Sequence, residues 1–254
     1  GGGANITAEG FTYAEYARRG FFELVSVAVL SLLLYLGLCA ITRWEEKVQR
    51  QLFTGLAIVL FALVLVMLVS SWMRLSMYED AYGFSRLRTY THVFIPWLAA
   101  LLVATAVLEV IRKQHRFALV LLAVIFGFGI SLTVLNVDAF IVDQNIRRAQ
   151  RGEKFDATYL LSLSQDAVPA MFDAYHQPEL SSKDHNALGG MLACMEKDYL
   201  PAEKTPWQSF HLSTDRAVRL FEQYGSELDA YPMKNDDWGW EVQIDGEFVP
   251  CYPL

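Results

Sequence analysis

The chain has 254 residues, 54% of them hydrophobic and 19% charged, with a formal net charge of −7. It is too apolar for an ordinary water-soluble domain of that length, and its acidic balance excludes nucleic-acid binding, which needs a basic face toward phosphate. The charge is also uneven: Gly1 to Ile141 carries 11 Lys+Arg against 9 Asp+Glu, and Val142 to Leu254 carries 10 against 19, so +2 and −9 make the total.

The chain opens GGG, with no basic segment or cleavage site ahead of the first apolar run. The expectation is therefore a C-terminal piece of a longer protein rather than a signal peptide. Thr12-Tyr-Ala-Glu15 fits a capping box, with Phe11 and Tyr16 placed for a hydrophobic staple. An amphipathic entry helix over 12–23 follows, in which Glu15, Arg19 and Glu23 share a face. From Leu24 to Thr42 no charge occurs, which is the signature of a transmembrane helix.

Three more spans are expected, over about 51–73, 89–108 and 117–137. Pro96 removes a backbone donor near the start of the third, a change that membrane helices tolerate. Ala100 with Ala104, and Gly127 with Ser131, place small residues at four-residue spacing and suggest close helix approach. The turns TRWEEKVQR and EVIRKQHR are short and densely basic, a positive-inside signal. The opposite side holds more basic residues in total, diluted by acids, and points the other way. Density favours cytoplasmic short turns, with the entry helix and the C-terminal tail outside the cell membrane.

Between the second and third spans lies the polar stretch RLSMYEDAYGFSRLR. Ser85 is a plausible cap for the third helix, leaving Arg86 and Arg88 in a first turn where the macrodipole opposes cations. They need anionic partners, and Glu79, Asp80, Glu15 and Glu23 are expected on the same membrane face. The candidate cluster on that face is Glu15, Arg18, Arg19, Glu23, Arg74, Glu79, Arg86, Arg88, His92 and Asp138. Its simplest reading is structural, as ion pairs clamping the bundle; the sharper reading is a substrate or ion site.

The tail, 142–254, reads as a soluble, mostly helical domain. Asp138 is expected to cap a helix through Ala149, and Asp166 a second one that tolerates Pro169 in its first turn. A third runs near Asp184 to Tyr199, with Gly189 and Gly190 weakening its middle, and a fourth from Ser213 to Tyr224, closed by Gly225. Asp245-Gly246 between alternating segments predicts a terminal β-hairpin. Cys39 reads as a core residue. Cys194 and Cys251 can form a disulfide in an oxidising compartment, and two unrelated buried thiols is the simpler expectation.

No phosphate loop, His-Glu-x-x-His, Cys-x-x-Cys or Gly-x-Ser-x-Gly motif is present. Asp173, His176, Asp184 and His185 come nearest to a metal-ligand set, and a solvated loop flank is the commoner origin of such a group. No catalytic, cofactor-binding or metal residue is assigned.

TAEGFTYAEYARRGFFELV, YEDAYGFSRLRTYTHVFIPWLA, LNVDAFIVDQNIRRAQ and YLLSLSQDAVPAMFDAY resemble an uncharacterised bacterial family of multi-spanning membrane proteins. That family carries a domain-of-unknown-function label. The likeness runs from Thr7 to about Tyr175, and it implies membrane residence and a further membrane half preceding this chain. It implies no activity, ligand or catalytic residue. The expectation is thus a mainly α protein, a four-helix transmembrane bundle over 1–141 with a soluble C-terminal domain. A structural or regulatory envelope role, with the acidic tail meeting a protein partner, stands against a transporter or lipid-handling enzyme built on the charged face.

Overall fold

A computed structural model describes residues 13–42, 46–199, 211–236 and 239–252, with the backbone alone for 13–22, 198 and 236. The capping box at Thr12 and the side chains of Glu15, Arg18 and Arg19 lie outside the described residues. Four helices come first: α1 (Tyr13–Ile41), α2 (Lys47–Tyr82), α3 (Arg86–Val110) and α4 (Phe117–Leu135). Each contains a stretch long and apolar enough to cross a membrane. The chain is an integral membrane protein of mainly helical fold.

A second group follows: α5 (Val137–Gln150), α6 (Val168–Tyr175), α7 (Ser182–Tyr199) and α8 (Leu212–Leu228), then β1 (Met233–Asp236), β2 (Gly239–Ile244) and β3 (Glu247–Pro250). The chain divides into two compact units. Unit 1 comprises 1–82 and 87–134, and unit 2 comprises 83–86 and 135–254.

Unit 1 packs along narrow seams. On α2 the buried positions are 57, 61, 64, 68, 71, 75 and 79, spaced alternately by four and three as far as 75. That alternation is the heptad seam of left-handed helix packing. Ala28, Leu32 and Tyr35 of α1 meet this seam, and Ile95, Leu98 and Leu102 of α3 join the same cluster. No residue of α4 is fully buried. It contributes Phe117, Val120, Leu121 and Val124 along one stripe. Trp97 lies against Gly127 and its indole N–H donates to Ser131 Oγ at 3.1 Å, so the expected small-residue pair on α4 seats an aromatic ring. Ala100 of the other pair is exposed.

Unit 2 buries a conventional core in which Phe172 packs edge-on against Phe221, and Met171, Leu188, Met191 and Leu192 are almost fully enclosed. β1, β2 and β3 form one antiparallel sheet in sequence order, with Met233 opposite Val242 and Val242 opposite Val249. The expected hairpin is present as β2–β3, turning at Asp245 and Gly246, both with positive φ as a type I′ turn requires. Cys194 and Cys251 are joined in a disulfide, which replaces the expectation of two separate thiols. The bond ties the end of β3 to the middle of α7.

Several local expectations are corrected. The stretch RLSMYEDAY continues α2 as helix, so Glu79 sits on a helix and not in a loop. Asn136, in the left-handed region, caps α5 by accepting from Ala139 N, which frees Asp138 for other partners. Ser164, rather than Asp166, accepts the first bond ahead of α6. Gly225 lies inside α8 and does not end it. Gly189 exists for close approach: a Cβ there would stand 2.2 Å from the Tyr231 ring.

Candidate functional site

The loop 83–86 links α2 to α3 in sequence, yet it belongs to unit 2. Gly83 has φ +81°, a conformation that L side chains resist, and an added Cβ would lie 2.8 Å from Asn145 Oδ1. The next residue, Phe84, is held at both backbone groups. Its N–H donates to Asn145 Oδ1 at 2.9 Å, and its carbonyl accepts from Asn145 Nδ2 at 3.1 Å. The ring of Phe84 meets Phe140 edge-on.

Arg86 completes the grip. Its Nε donates to Asp138 Oδ1 at 2.7 Å, its second terminal nitrogen to Asp138 Oδ2, and the other to the Ser162 carbonyl at 2.8 Å. Its backbone N–H, one of the four that every helix start leaves without an internal partner, donates to Tyr159 Oη at 2.8 Å. Asp138 Oδ2 also accepts from Ser164 N at 2.9 Å and Ser164 Oγ at 2.6 Å. Burial opposes ionisation of this carboxyl, but the bonds from Arg86 and Ser164 outweigh it and hold Asp138 below the usual carboxylate range. The fork-on-carboxylate geometry is directional as well as charge-assisted, so it fixes the angle at which the loop meets α5.

A second carboxylate contact lies within unit 1. His92 Nδ1 stands 2.7 Å from Glu79 Oε2, and its Nε2 stands 3.2 Å from Ser76 Oγ. The Trp72 ring packs edge-on against the imidazole at 4.3 Å. Arg88 packs on an aromatic ring of α2. Its guanidinium lies over the Tyr78 ring, 4.2 Å from the centroid, and donates to the Tyr82 carbonyl.

Among the described residues, two pairs within the candidate cluster are seen. Arg86 pairs with Asp138 in unit 2 and Glu79 with His92 in unit 1, while Glu23 is exposed and Arg74 half-buried.

A third buried carboxylate was not singled out in the sequence. Glu109, at the end of α3, accepts from Tyr35 Oη at 2.7 Å, Thr54 Oγ1 at 2.7 Å and Gln114 Nε2 at 2.8 Å. The signal for it was an acid directly abutting an apolar span, masked by the basic residues after it.

The groups considered for a metal are dispersed. His176 pairs with Glu227 and lies among Phe172, Tyr175 and Tyr224, His185 stacks on Tyr175, and Asp184 is bonded to Ser181. Among the described residues no three His, Cys, Asp or Glu side chains come together as a metal set.

Three of the four stretches that carry the family resemblance supply the groups around Arg86. A family model described as Domain of unknown function (DUF4153) matches residues 1–174. No curated protein and no solved structure matches the chain. With more than half its length under that model, the chain belongs to the DUF4153 family.

Proposed function

We propose that this chain is a structural membrane component of the bacterial envelope whose C-terminal unit faces the oxidising side and meets a protein partner. The reading rests above all on Arg86 and Asp138. Their charges are directed at each other and at Ser162 and Ser164, so this part of the candidate cluster holds the chain together rather than offering groups to a ligand. The Cys194–Cys251 disulfide supports the orientation, since such bonds persist in oxidising compartments. With four spans, the start of α1 and the tail share a side, and the dense basic turns near Lys47 and Arg116 then face the cytoplasm. The surplus of acid in the tail suits a partner with a basic surface.

The test is a charge swap. Arg86→Asp with Asp138→Arg is expected to restore the protein level that either single change lowers. A measurable flux lost in Arg86→Ala, with level and fold normal, would sink the scaffold reading. Orientation is read separately by labelling Cys194 and Cys251 in intact cells with an impermeant thiol reagent. Labelling is expected only after reductant is added, without permeabilisation.

The alternative, a transporter or lipid-handling enzyme, draws on a different observation. Glu79 with His92, and Glu109, are ionisable groups inside the bundle, where such groups are costly and mark ion or substrate pathways.

A further inference from the structure

Gly225 lies inside α8, where a glycine weakens the helix by roughly 0.5–1 kcal/mol relative to alanine. What it makes room for is a carboxyl group: a Cβ at Gly225 would stand 2.4 Å from Glu196 Oε1 of α7. We propose that Glu196 is a proton-operated latch, whose neutral carboxyl seats in the Gly225 notch and holds the last turn of α8, and whose carboxylate releases that turn. The inference goes beyond the scaffold reading and does not depend on it.

The notch is a poor place for a negative charge. Gly225 opens the last turn of α8, where carbonyls without a helical partner form the negative end of the macrodipole. Asp229 follows at the cap and repels a second carboxylate. Among the described residues no hydrogen bond or ion pair reaches the half-buried Glu196. Lys197 attracts it from the next position, but its ammonium lies over the Trp240 ring, 5.8 Å from the centroid. Those two are the charges acting on Glu196; α6, β2 and the turn Thr158–Ser162, which also pack on α7, add none. Burial, joined by Asp229, outweighs Lys197 and holds the carboxyl above the usual carboxylate range. A neutral carboxyl also carries a hydrogen that it can donate to a helix-end carbonyl, which the carboxylate lacks.

The two helices are held unequally. α7 is fixed from its other side, because Cys194 is bonded to Cys251 at the end of β3 and Met191 to Met195 are all buried. The last turn of α8 buries Leu228 alone, and the ring contact of Phe221 with Tyr199 lies one turn earlier. Expulsion of the carboxylate therefore moves the end of α8 rather than α7. The sign follows from linkage. A carboxyl held above its unfolded value of about 4.3 contributes stability that is complete below that pH and is lost as pH rises through the folded value. Asp138 acts in the opposite sense, its contribution fading toward acid. Acid thus closes the latch at α8 while it weakens the grip on loop 83–86.

The test is hydrogen exchange at the amides of α8 in the full chain, embedded in lipid nanodiscs and corrected for the intrinsic effect of pH on exchange. From about pH 4 to 8 the last turn of the wild type is expected to lose protection as pH rises, by at most about tenfold per pH unit, the limit for one linked proton. Glu196→Gln, which keeps the shape of the neutral group, is expected to hold the acid-end protection at every pH. His176→Gln removes the imidazole paired with Glu227, the other titrating contact on this end of α8, and is expected to leave the dependence in place. The proposal is overturned by wild-type protection that stays level or rises with pH, by the same slope in Glu196→Gln, or by a slope abolished in His176→Gln. The first of these outcomes needs no variant, so a variant that fails to fold does not shield the proposal.

Discussion

Unit 1 and unit 2 solve the same problem with opposite surfaces. In unit 1 Leu56, Val66 and Phe126 are 70%, 68% and 68% exposed, as side chains facing lipid should be. In unit 2 Phe172, Met191 and Phe221 are 2% exposed or less, enclosed as in any water-soluble core. Two buried carboxylates, Glu109 and Asp138, show a related contrast. Glu109 in unit 1 is surrounded by neutral donors, from Tyr35, Thr54 and Gln114, whereas Asp138 in unit 2 is answered by a guanidinium and a serine. A charge near hydrocarbon can be stabilised by hydrogen bonds without importing a second charge that must itself be desolvated. Nearer to water, the second charge is the stronger partner.

That contrast can be broken by perturbing unit 2 alone. The largest effect is expected from Cys194→Ser, which opens a loop spanning 57 positions. Loop-closure entropy puts the loss at about 4 kcal/mol, measured as a lowered urea midpoint for unit 2, with the helicity of unit 1 unchanged. Equal loss in both units would mean that they do not unfold separately. Next comes Arg86→Ala, which leaves Asp138 facing Ser164 alone. The expected cost is about 2–3 kcal/mol, less than for a fully buried pair because the Arg86 side chain is 36% exposed.

The same pair sets an acid limit. Asp138 binds its proton less readily folded than unfolded, where the reference is about 3.9. Its stabilisation is therefore complete above that value and is lost as pH falls through the lower folded one. Asp138→Asn is expected to flatten this limb of a stability–pH curve, in addition to lowering the plateau. Gly189→Ala forces a methyl against Tyr231 and is expected to cost about 1–3 kcal/mol, read by thermal unfolding. The smallest effect belongs to Asp143→Ala. Its partner Arg147 is one turn away and both are exposed, so at most about 0.5 kcal/mol is expected.

The spans were legible because hydrocarbon demands long uncharged runs, a constraint that leaves little room for ambiguity. The end of α2 was not, since SMYEDAY is polar by composition while its Glu79 faces the ring of His92, and a partner on another helix cannot be seen along the chain. Capping failed for a similar reason. Asp138 is a good cap by type, but it was claimed by Arg86, 52 positions away, and Asn136 took the cap in a left-handed conformation that asparagine tolerates. Strand β1, MKND, carries no alternation and forms because the register with Trp240–Val242 supplies its bonds. The cluster was legible as a list of charges. Its pairing was not, because each bond joins positions brought together only by the fold.

The assignment of 83–86 to unit 2 has a practical consequence for dissection. The polypeptide crosses between the two units three times, after Tyr82, after Arg86 and after Val134, so no single cut separates them. A fragment beginning at Leu135 would lack four residues of its own architecture. Asp138 would lose the guanidinium, Asn145 the peptide it brackets and Tyr159 the amide it receives, all on one flank. Supplying that tetrapeptide back, fused through a short turn ahead of α5, is the way to a stand-alone version of unit 2.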